Sequence, residues 1–478
     1  MAEKNTNDKP KALYPHGRHI LTTTYKKVTR NNILNIIGNC FGDILNNENE
    51  CIYLDNYRKG ITPVLNREKT IRPEINNKVN VNRASEIVAF KVGYFLDECV
   101  QYIARGNDEK KIVDQIKELN NCMYLCNKEA SDRDLSEKMS VCGTAYRLIL
   151  PAEDRNSDTP FEIFDLPTAQ TFVIYYSGIG NKPVLAGVKI RVQDTSDPNT
   201  AVAYDKVCCY SDTHYYEIDT RTPYTILKSN RHNLGMIPII EYPNNASRIG
   251  DFELVLPLLD ALDTLRSNQL DGVEQFIQSL IKFINVDITK DDFAELKELG
   301  AIKVSSTGDK QADVQFMTQE LKQTDVEVLA NSIYRDILTI CGMPNQMGSN
   351  MSTSDNTGAT LVRQGWYGAD SRAKATEVLF KKSEKEILKI ALMSLRIYRD
   401  VKLSLEDIDI KIPRRNYENV QQKATVLTTM LGSDKIDPKL AFESCGLFTD
   451  PDVAYMMSKT YYEKVQELTN EAGGNNDN

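Results

Sequence analysis

Apolar residues recur at three- and four-residue spacing across residues 22–45, where Ile33, Ile36, Ile37, Phe41, Ile44 and Leu45 share one face. This is the signature of an amphipathic helix. The spacing resumes near Asn82, through Ile87, Val88, Phe90, Val92 and Phe95, and again over residues 109–127. Residues 135–141 lead into a further short helix. The texture then changes. Short runs rich in β-branched and aromatic residues lie at 146–150, 161–164, 171–176, 184–192, 201–210, 215–218 and 225–228. Turn clusters at 177–180 and 194–199 separate some of them, so an antiparallel sheet is predicted to follow the helices, an α+β fold.

Beyond Gly250 the helical period returns. Leu258, Leu262, Leu265, Val273, Phe276, Ile277 and Leu280 form one stripe of a long helix over residues 251–281, with Pro257 in its first turn, where a missing amide is tolerated. Strands are expected at 282–289 and 301–305 around a short charged helix at 291–299, with a third strand at 314–317. A second long helix spans 323–341 on Val326, Leu329, Ile333, Ile337 and Ile340, and Gly342 and Pro344 stop it. After a polar stretch at 345–358, a longer helix runs to Asp400 with Val362, Trp366, Ala369, Ala373, Phe380, Ile387, Ala391 and Leu395 on its inner face. A strand at 405–412 leads into a helical segment at 417–470. Residues 1–21 and 471–478 read as disordered, and there is no internal repeat.

Two long helices that bracket a small insert can form an antiparallel pair with a small domain at its tip. The third helix carries more apolar stripe than one chain can cover. A neighbouring copy supplies the missing surface, and a head-to-tail interface that closes makes a ring. Leu262, Leu265, Ile333 and Trp366 are the candidate interface residues. Trp366, the single tryptophan, suits an interface anchor or a core anchor, and helix register does not separate the two.

At 478 residues the chain exceeds one ordinary core. No apolar run is long enough for a membrane span, and the polar start lacks the apolar core of a secretory signal, which points to a cytosolic product at synthesis. The ten cysteines are scattered, without a CxxC, and there are four histidines. Cys122 and Cys126 share a helix face, but no second pair follows. Buried free thiols therefore fit better than a zinc site, and no cofactor is expected. The formal net charge of -9 argues against a protein built to grip nucleic acid, though not against one through which DNA passes.

No P-loop, HExxH, GxSxG or strand-linked GxGxxG is present. Cys142 and Cys341 have no histidine near in sequence, so no nucleophile stands out, and no enzymatic activity is expected. Arg266, Lys282, Lys303, Lys310, Lys322 and Arg335 are candidate cations facing a passage, though any one of them is more often an ordinary solvated charge. Asp260, Asp263, Asp271 and Glu274 share the first long helix, where solubility and pairing between subunits are the expected roles. Arg414 and Arg415 are candidates for DNA or for an acidic neighbour.

Several strings, in this order, resemble portal proteins of long-tailed bacteriophages of Gram-positive hosts. The clearest is His232-Asn233-Leu234-Gly235-Met236-Ile237-Pro238-Ile239-Ile240-Glu241-Tyr242-Pro243-Asn244-Asn245, continuing through Arg248-Ile249-Gly250-Asp251-Phe252-Glu253 into the helix carrying Leu259-Asp260-Ala261. Tyr57-Arg58-Lys59-Gly60, Asn80-Val81-Asn82-Arg83 followed by Val92-Gly93-Tyr94-Phe95-Leu96, and Ile340-Cys341-Gly342-Met343-Pro344 are similar to further family patterns. Asp97 stands where the family's wing helix carries a second glycine.

The resemblance implies a portal fold with a wing at residues 22–250 and 401–416, stem helices at 251–281 and 323–342, and a small α/β clip at 282–322. A tunnel loop at 343–358 and a wing-spanning helix at 359–400 follow, with a helical crown at 417–470. Implied contacts with passing DNA fall on Asn345, Gln346, Met347, Ser349, Asn350, Met351, Ser352, Thr353 and Ser354, whose amides and hydroxyls touch phosphates weakly and without sequence reading. Asp291, Asp292, Glu295 and Lys297 are the implied clip contacts. The implied partners are further copies in a twelve-subunit ring, double-stranded DNA, the terminase large subunit, head-completion or adaptor proteins, and capsid and scaffolding proteins, with no membrane. The implied place is the capsid portal vertex after assembly in the host cytoplasm. Another ring or adaptor of a phage particle, or a nucleic-acid-modifying enzyme with an unrecognised site, are the competing readings.

Overall fold

The computed structural model describes residues 14–105, 110–154, 157–194, 202–277, 280–284, 313–317, 323–345, 365–414, 420–448 and 450–473. The chain opens with β1 (Leu21–Thr23), α1 (Ile33–Arg58), α2 (Arg83–Phe95), β2 (Gln101–Ala104), α3 (Lys110–Leu125) and α4 (Lys128–Cys142). Eight strands follow: β3 (Thr144–Pro151), β4 (Phe161–Leu166), β5 (Thr171–Tyr176), β6 (Pro183–Asp194), β7 (Val202–Tyr210), β8 (His214–Asp219), β9 (Thr225–Arg231) and β10 (Ile239–Pro243). Then come α5 (Leu256–Ile277), β11 (Leu280–Ile284), β12 (Asp313–Met317), α6 (Gln323–Cys341), α7 (Trp366–Tyr398) and β13 (Ile408–Lys411). Helices α8 (Val420–Leu431), α9 (Pro438–Cys445) and α10 (Pro451–Gly473) complete the described chain.

The residues divide into two compact units. One holds the chain up to Lys59, Ala84–Val255 and everything from Leu338 on; the other holds Gly60–Arg83 and Leu256–Ile337. Gly60–Arg83 thus joins the first long helix, although it lies inside the span expected for the wing.

In the larger unit the strands form several sheets rather than one. A six-stranded sheet runs β1-β5-β6-β7-β8-β9, and β10-β3-β4 form a second. The first is antiparallel except at its edge, where β1 pairs parallel to β5. Ile33, Ile36, Ile37, Cys40 and Ile44 of α1 pack on Phe172, Ile174, Leu185, Val207 and Ile218 of this sheet. Helix α1 begins at Ile33 rather than at residue 22, because the β-branched Thr22 and Thr23 lie in β1 instead. Tyr146 and Ile239 of the small sheet meet Val173 and Ala186 of the large one, which closes the space between them.

Helix α7 is the spine of the remaining core. Its Phe380, Ile387, Leu388, Ala391 and Leu395 cluster with Tyr102, Leu119, Leu135, Ile149, Tyr242 and Ile410, from six other elements. Burying each of the larger side chains contributes about 1.5–3 kcal/mol. The expected strand at 405–412 is a 3-10 turn, Leu405–Asp407, followed by β13, which pairs antiparallel with β2. Ser404 and Asp407 cap that turn reciprocally.

In the smaller unit the first long helix starts later than expected. Glu253–Val255 form a 3-10 turn and α5 proper begins at Leu256, with Pro257 in its first turn. It ends at Ile277, and β11 pairs antiparallel with β12 from Leu280 opposite Met317. The expected strand at 282–289 therefore starts two residues earlier, while the expected strand at 301–305 and helix at 291–299 lie outside the described residues. Helix α6 has the bounds its periodicity gives. Among the described residues no helix is long and apolar enough to cross a membrane.

Candidate functional site

The string that leads into the first long helix folds as a polar knot. Asn245 accepts the Ile249 N–H at 3.0 Å and donates to the Ile249 carbonyl at 2.7 Å. Asn244 donates to the same carbonyl at 3.1 Å and to Asp251 at 3.2 Å. Glu253 accepts from the amides of Gly17 (2.6 Å) and Gly250 (2.8 Å) and pairs with Arg18 at 2.5 Å. Glycine is required where the backbones converge. At Gly143, with φ of +76°, a Cβ would stand 2.0 Å from the Arg248 carbonyl oxygen. The motif therefore ties the chain's start, the end of α4 and the lead-in to α5 into one joint. Ring stacking of Tyr57 on Phe252, with centroids 6.0 Å apart, covers it.

In the smaller unit the acids of α5 serve their own chain. Asp263, Ser267 and Asp271 accept backbone N–H bonds from Val81 (3.0 Å), Val79 (2.9 Å) and Asn77 (2.7 Å). Four helical residues rise about 6.0 Å and two extended residues span about 6.6 Å, so helix and segment stay in step. Asp271 also pairs with Lys69 at 3.0 Å and Arg67 at 3.1 Å, and Glu274 accepts from Asn77 at 3.0 Å. Burial works against the Asp271 charge, yet the Asn77 amide and Lys69 hold its carboxyl below the ordinary value. Burial pushes the Asp263 carboxyl up. The expected pairing of Asp263, Asp271 and Glu274 with another subunit is therefore replaced by contacts within the chain. Two strings of the resemblance also meet here: Asn80 donates to the Gly60 carbonyl at 2.5 Å, and Gly60 has a φ of +90°.

Arg266 is likewise not a free cation, since it forks onto Glu327 of α6 at 2.6 and 3.2 Å. Arg414 pairs with Glu377 at 2.7 Å, with Asp370 close by, so its acidic neighbour belongs to its own chain. Arg335 is exposed. The Lys282 side chain, together with Lys303, Lys310, Lys322 and Arg415, lies outside what is described. So do Gln346, Met347, Ser349, Asn350, Met351, Ser352, Thr353 and Ser354, and the clip candidates Asp291, Asp292, Glu295 and Lys297; Asn345 is the last described residue before that stretch. Trp366 opens α7 half-buried, with ring centroids 5.9 Å from Tyr94 and 6.1 Å from Phe90. Leu262 is buried at 3% exposure, which leaves it little surface for a neighbour, while Leu265 and Ile333 are half-buried.

A buried charge cluster that the hydropathy pattern did not single out fixes α7 in place. Glu384, with no exposure, accepts from Tyr242 (2.6 Å) and Tyr102 (2.7 Å) and lies 3.2 Å from the Lys128 ammonium. Arg147, equally buried, bonds Asp132 at 2.7 Å, Asp165 at 3.0 Å and Ser131 at 2.7 Å, and stands 3.5 Å from Glu384. Burial opposes the charge of Glu384, but Lys128 and Arg147, then the two tyrosine hydroxyls, hold its carboxyl below the ordinary value. Glu384 sits in a run, Lys381-Lys382-Ser383-Glu384-Lys385-Glu386, that reads as surface. The signal was its register, four residues after Phe380 and three before Ile387.

All ten cysteines are free; Cys99 is exposed, Cys126 and Cys208 are half-buried and the rest are buried. Burial pushes the Cys341 thiol up to about 12 and that of Cys122 up to about 11, the opposite of an activated nucleophile. Among the described residues no group of three or more His, Cys, Asp or Glu is placed to hold a metal ion.

An α+β chain whose best-ordered chemistry is structural suits an assembly component. Residues 40–477 match the family described as "Phage portal protein, SPP1 Gp6-like", and the chain belongs to that family. It is a structural protein of the phage portal ring. No curated protein matches it. Solved structures similar to it include "Neck of native GTA particle computed with C12 symmetry", 10% identical with a TM-score of 0.39, covering 76% of this chain and 89% of that one.

Proposed function

We propose that twelve copies of this chain close into a ring at one vertex of a phage head, and that double-stranded DNA enters and leaves through its channel without being read. The observation that carries this is the family match over nearly the whole chain. The order of α5, a strand pair and α6 supports a stem capped by a clip. In this reading residues 22–250 and 401–416 form the wing, apart from the segment that lies along α5. Residues 251–281 and 323–342 are the stem, 282–322 the clip, 343–358 the tunnel loop, 359–400 the wing-spanning helix and 417–470 the crown. Leu262, Leu265, Ile333 and Trp366 contribute to contacts between subunits, Leu262 with the least surface.

The mechanism is geometric. With 67 acidic against 58 basic residues, the protein repels a duplex in general and holds it nowhere strongly, which suits sliding. The chain acts without catalysis, so the energy of packaging comes from a separate ATPase, the terminase large subunit, docked on the clip through Asp291, Asp292, Glu295 and Lys297. Head-completion or adaptor proteins take the same surface afterwards, and capsid and scaffolding proteins meet the wing during assembly in the host cytoplasm. Deleting residues 347–355 tests the tunnel loop. Rings are expected to assemble, and heads carrying them to package or retain less DNA; normal packaging by that variant would refute the assignment.

A further inference from the structure

Helices α2 and α7 enclose one wall of a cavity of about 420 Å³ that the contacts described so far leave unused. Two cations line it, Lys91 and Arg372. Among the described residues neither has a hydrogen-bond or ion-pair partner. The one carboxylate in the lining, Asp251, has both oxygens engaged, one by Ser140 at 2.6 Å and the other by Asn244 at 3.2 Å. Burial, opposed by Asp251, and repulsion from Arg372 keep the Lys91 amine below its ordinary value. Lys91 is half-buried and Arg372 exposed, and two like charges beside each other are an arrangement that an anion relieves.

Arg372 lies across the turn at Gly342, where φ is +62° and a Cβ would stand 2.5 Å from the Arg372 Nε. Lys91 projects from the middle of α2 beside Phe90 and Tyr94, both in the lining. The hollow is concave, and apolar side chains such as Phe95, Met139 and Leu379 share its wall with polar ones such as Ser136, Asn245 and Thr376. That shape accepts a side chain from a protein segment, whereas a duplex offers its phosphates on a convex surface too broad to enter.

We propose that Lys91 and Arg372 form a socket for an acidic side chain presented by a second copy of this chain. The proposal rests on the ring reading, because in a ring each copy meets its neighbour at a high effective concentration. Charge favours the same occupant, since the chain carries an excess of carboxylates.

Rings assembled from a mixture of isotopically light and heavy chains, treated with a zero-length carbodiimide, test this directly, because the reagent joins an amine only to a carboxylate it already touches. Lys91 peptides are expected to link to acidic peptides of the opposite label. The substitutions Lys91→Gln and Arg372→Gln, each removing an unpaired charge, should leave thermal melting unchanged and raise the concentration needed for assembly about tenfold. Rings in which Lys91 links only to peptides of its own label, or to none, overturn the socket and leave the ring standing. Monomers by sedimentation overturn the ring and the socket together. Protection of Lys91 from acetylation only when duplex DNA is added assigns the hollow to nucleic acid and overturns the proposal.

Discussion

Tyr242 donates a 2.6 Å hydrogen bond to Glu384, joining the last strand of the small sheet to the middle of α7, and neither side chain reaches solvent. Glu384 is the shared acceptor of two tyrosines and the counter-charge of Lys128 and Arg147. Its removal leaves two buried cations undercompensated. Glu384→Ala is expected to destabilise the larger unit by about 3–5 kcal/mol, the usual cost of breaking a buried charge pair from one side, read as the shift in a urea unfolding midpoint. A loss below about 1 kcal/mol would show that the cluster does not hold α7.

The same carboxyl sets an acid limb. Its folded-state pKa lies below that of the unfolded chain, so its contribution is present above the unfolded value, about 4.3 for a glutamate. The contribution is lost as pH falls through the folded value. Asp271 is depressed as well and adds to the same limb. Unfolding free energy measured from pH 7 down to pH 2 should therefore fall below about pH 4.3. Glu384→Gln should start lower and lose less over that range; an unchanged acid slope would contradict the assignment.

Much of the fold was legible in the sequence because local patterns encode it. The 3.6-residue period marked α2, α3 and α6 within two residues, and alternation marked most strands of the large sheet. What pairs at long range left no local trace. Strand β2 is four residues long and finds its partner β13 some three hundred residues later, so β2 did not stand out although a strand is read over its partner. Glu384 looked solvated because its neighbours are charged, although its helical phase placed it on the apolar stripe. The α5 acids read as outward-facing because nothing in residues 60–83 signals that its amides seek a helix. The portal motif was readable as a string, while its physical purpose, a joint of converging backbones around Gly143 and Gly250, needed the structure.

The in-step pairing of 77–81 with 263–271 makes a separate prediction. Asp271→Ala removes the acceptor of the Asn77 amide and the partner of Lys69 and Arg67. Loss of hydrogen bonds to a charged group costs about 1.5–3 kcal/mol, so the segment should release locally. Limited trypsin digestion should then cut after Arg67, Lys69 or Lys78 at least several-fold faster, with cleavage elsewhere unchanged. Equal protection in variant and parent would mean that the segment is held by something other than this ladder.

The central claim is that this chain is the subunit of a ring built to pass DNA. Electron micrographs of the purified protein, taken across a range of salt concentrations, address it most directly. Cone-shaped rings with a central hole wide enough for a duplex are predicted. A stable monomer at every salt concentration, with no rings on raising protein concentration, would contradict it.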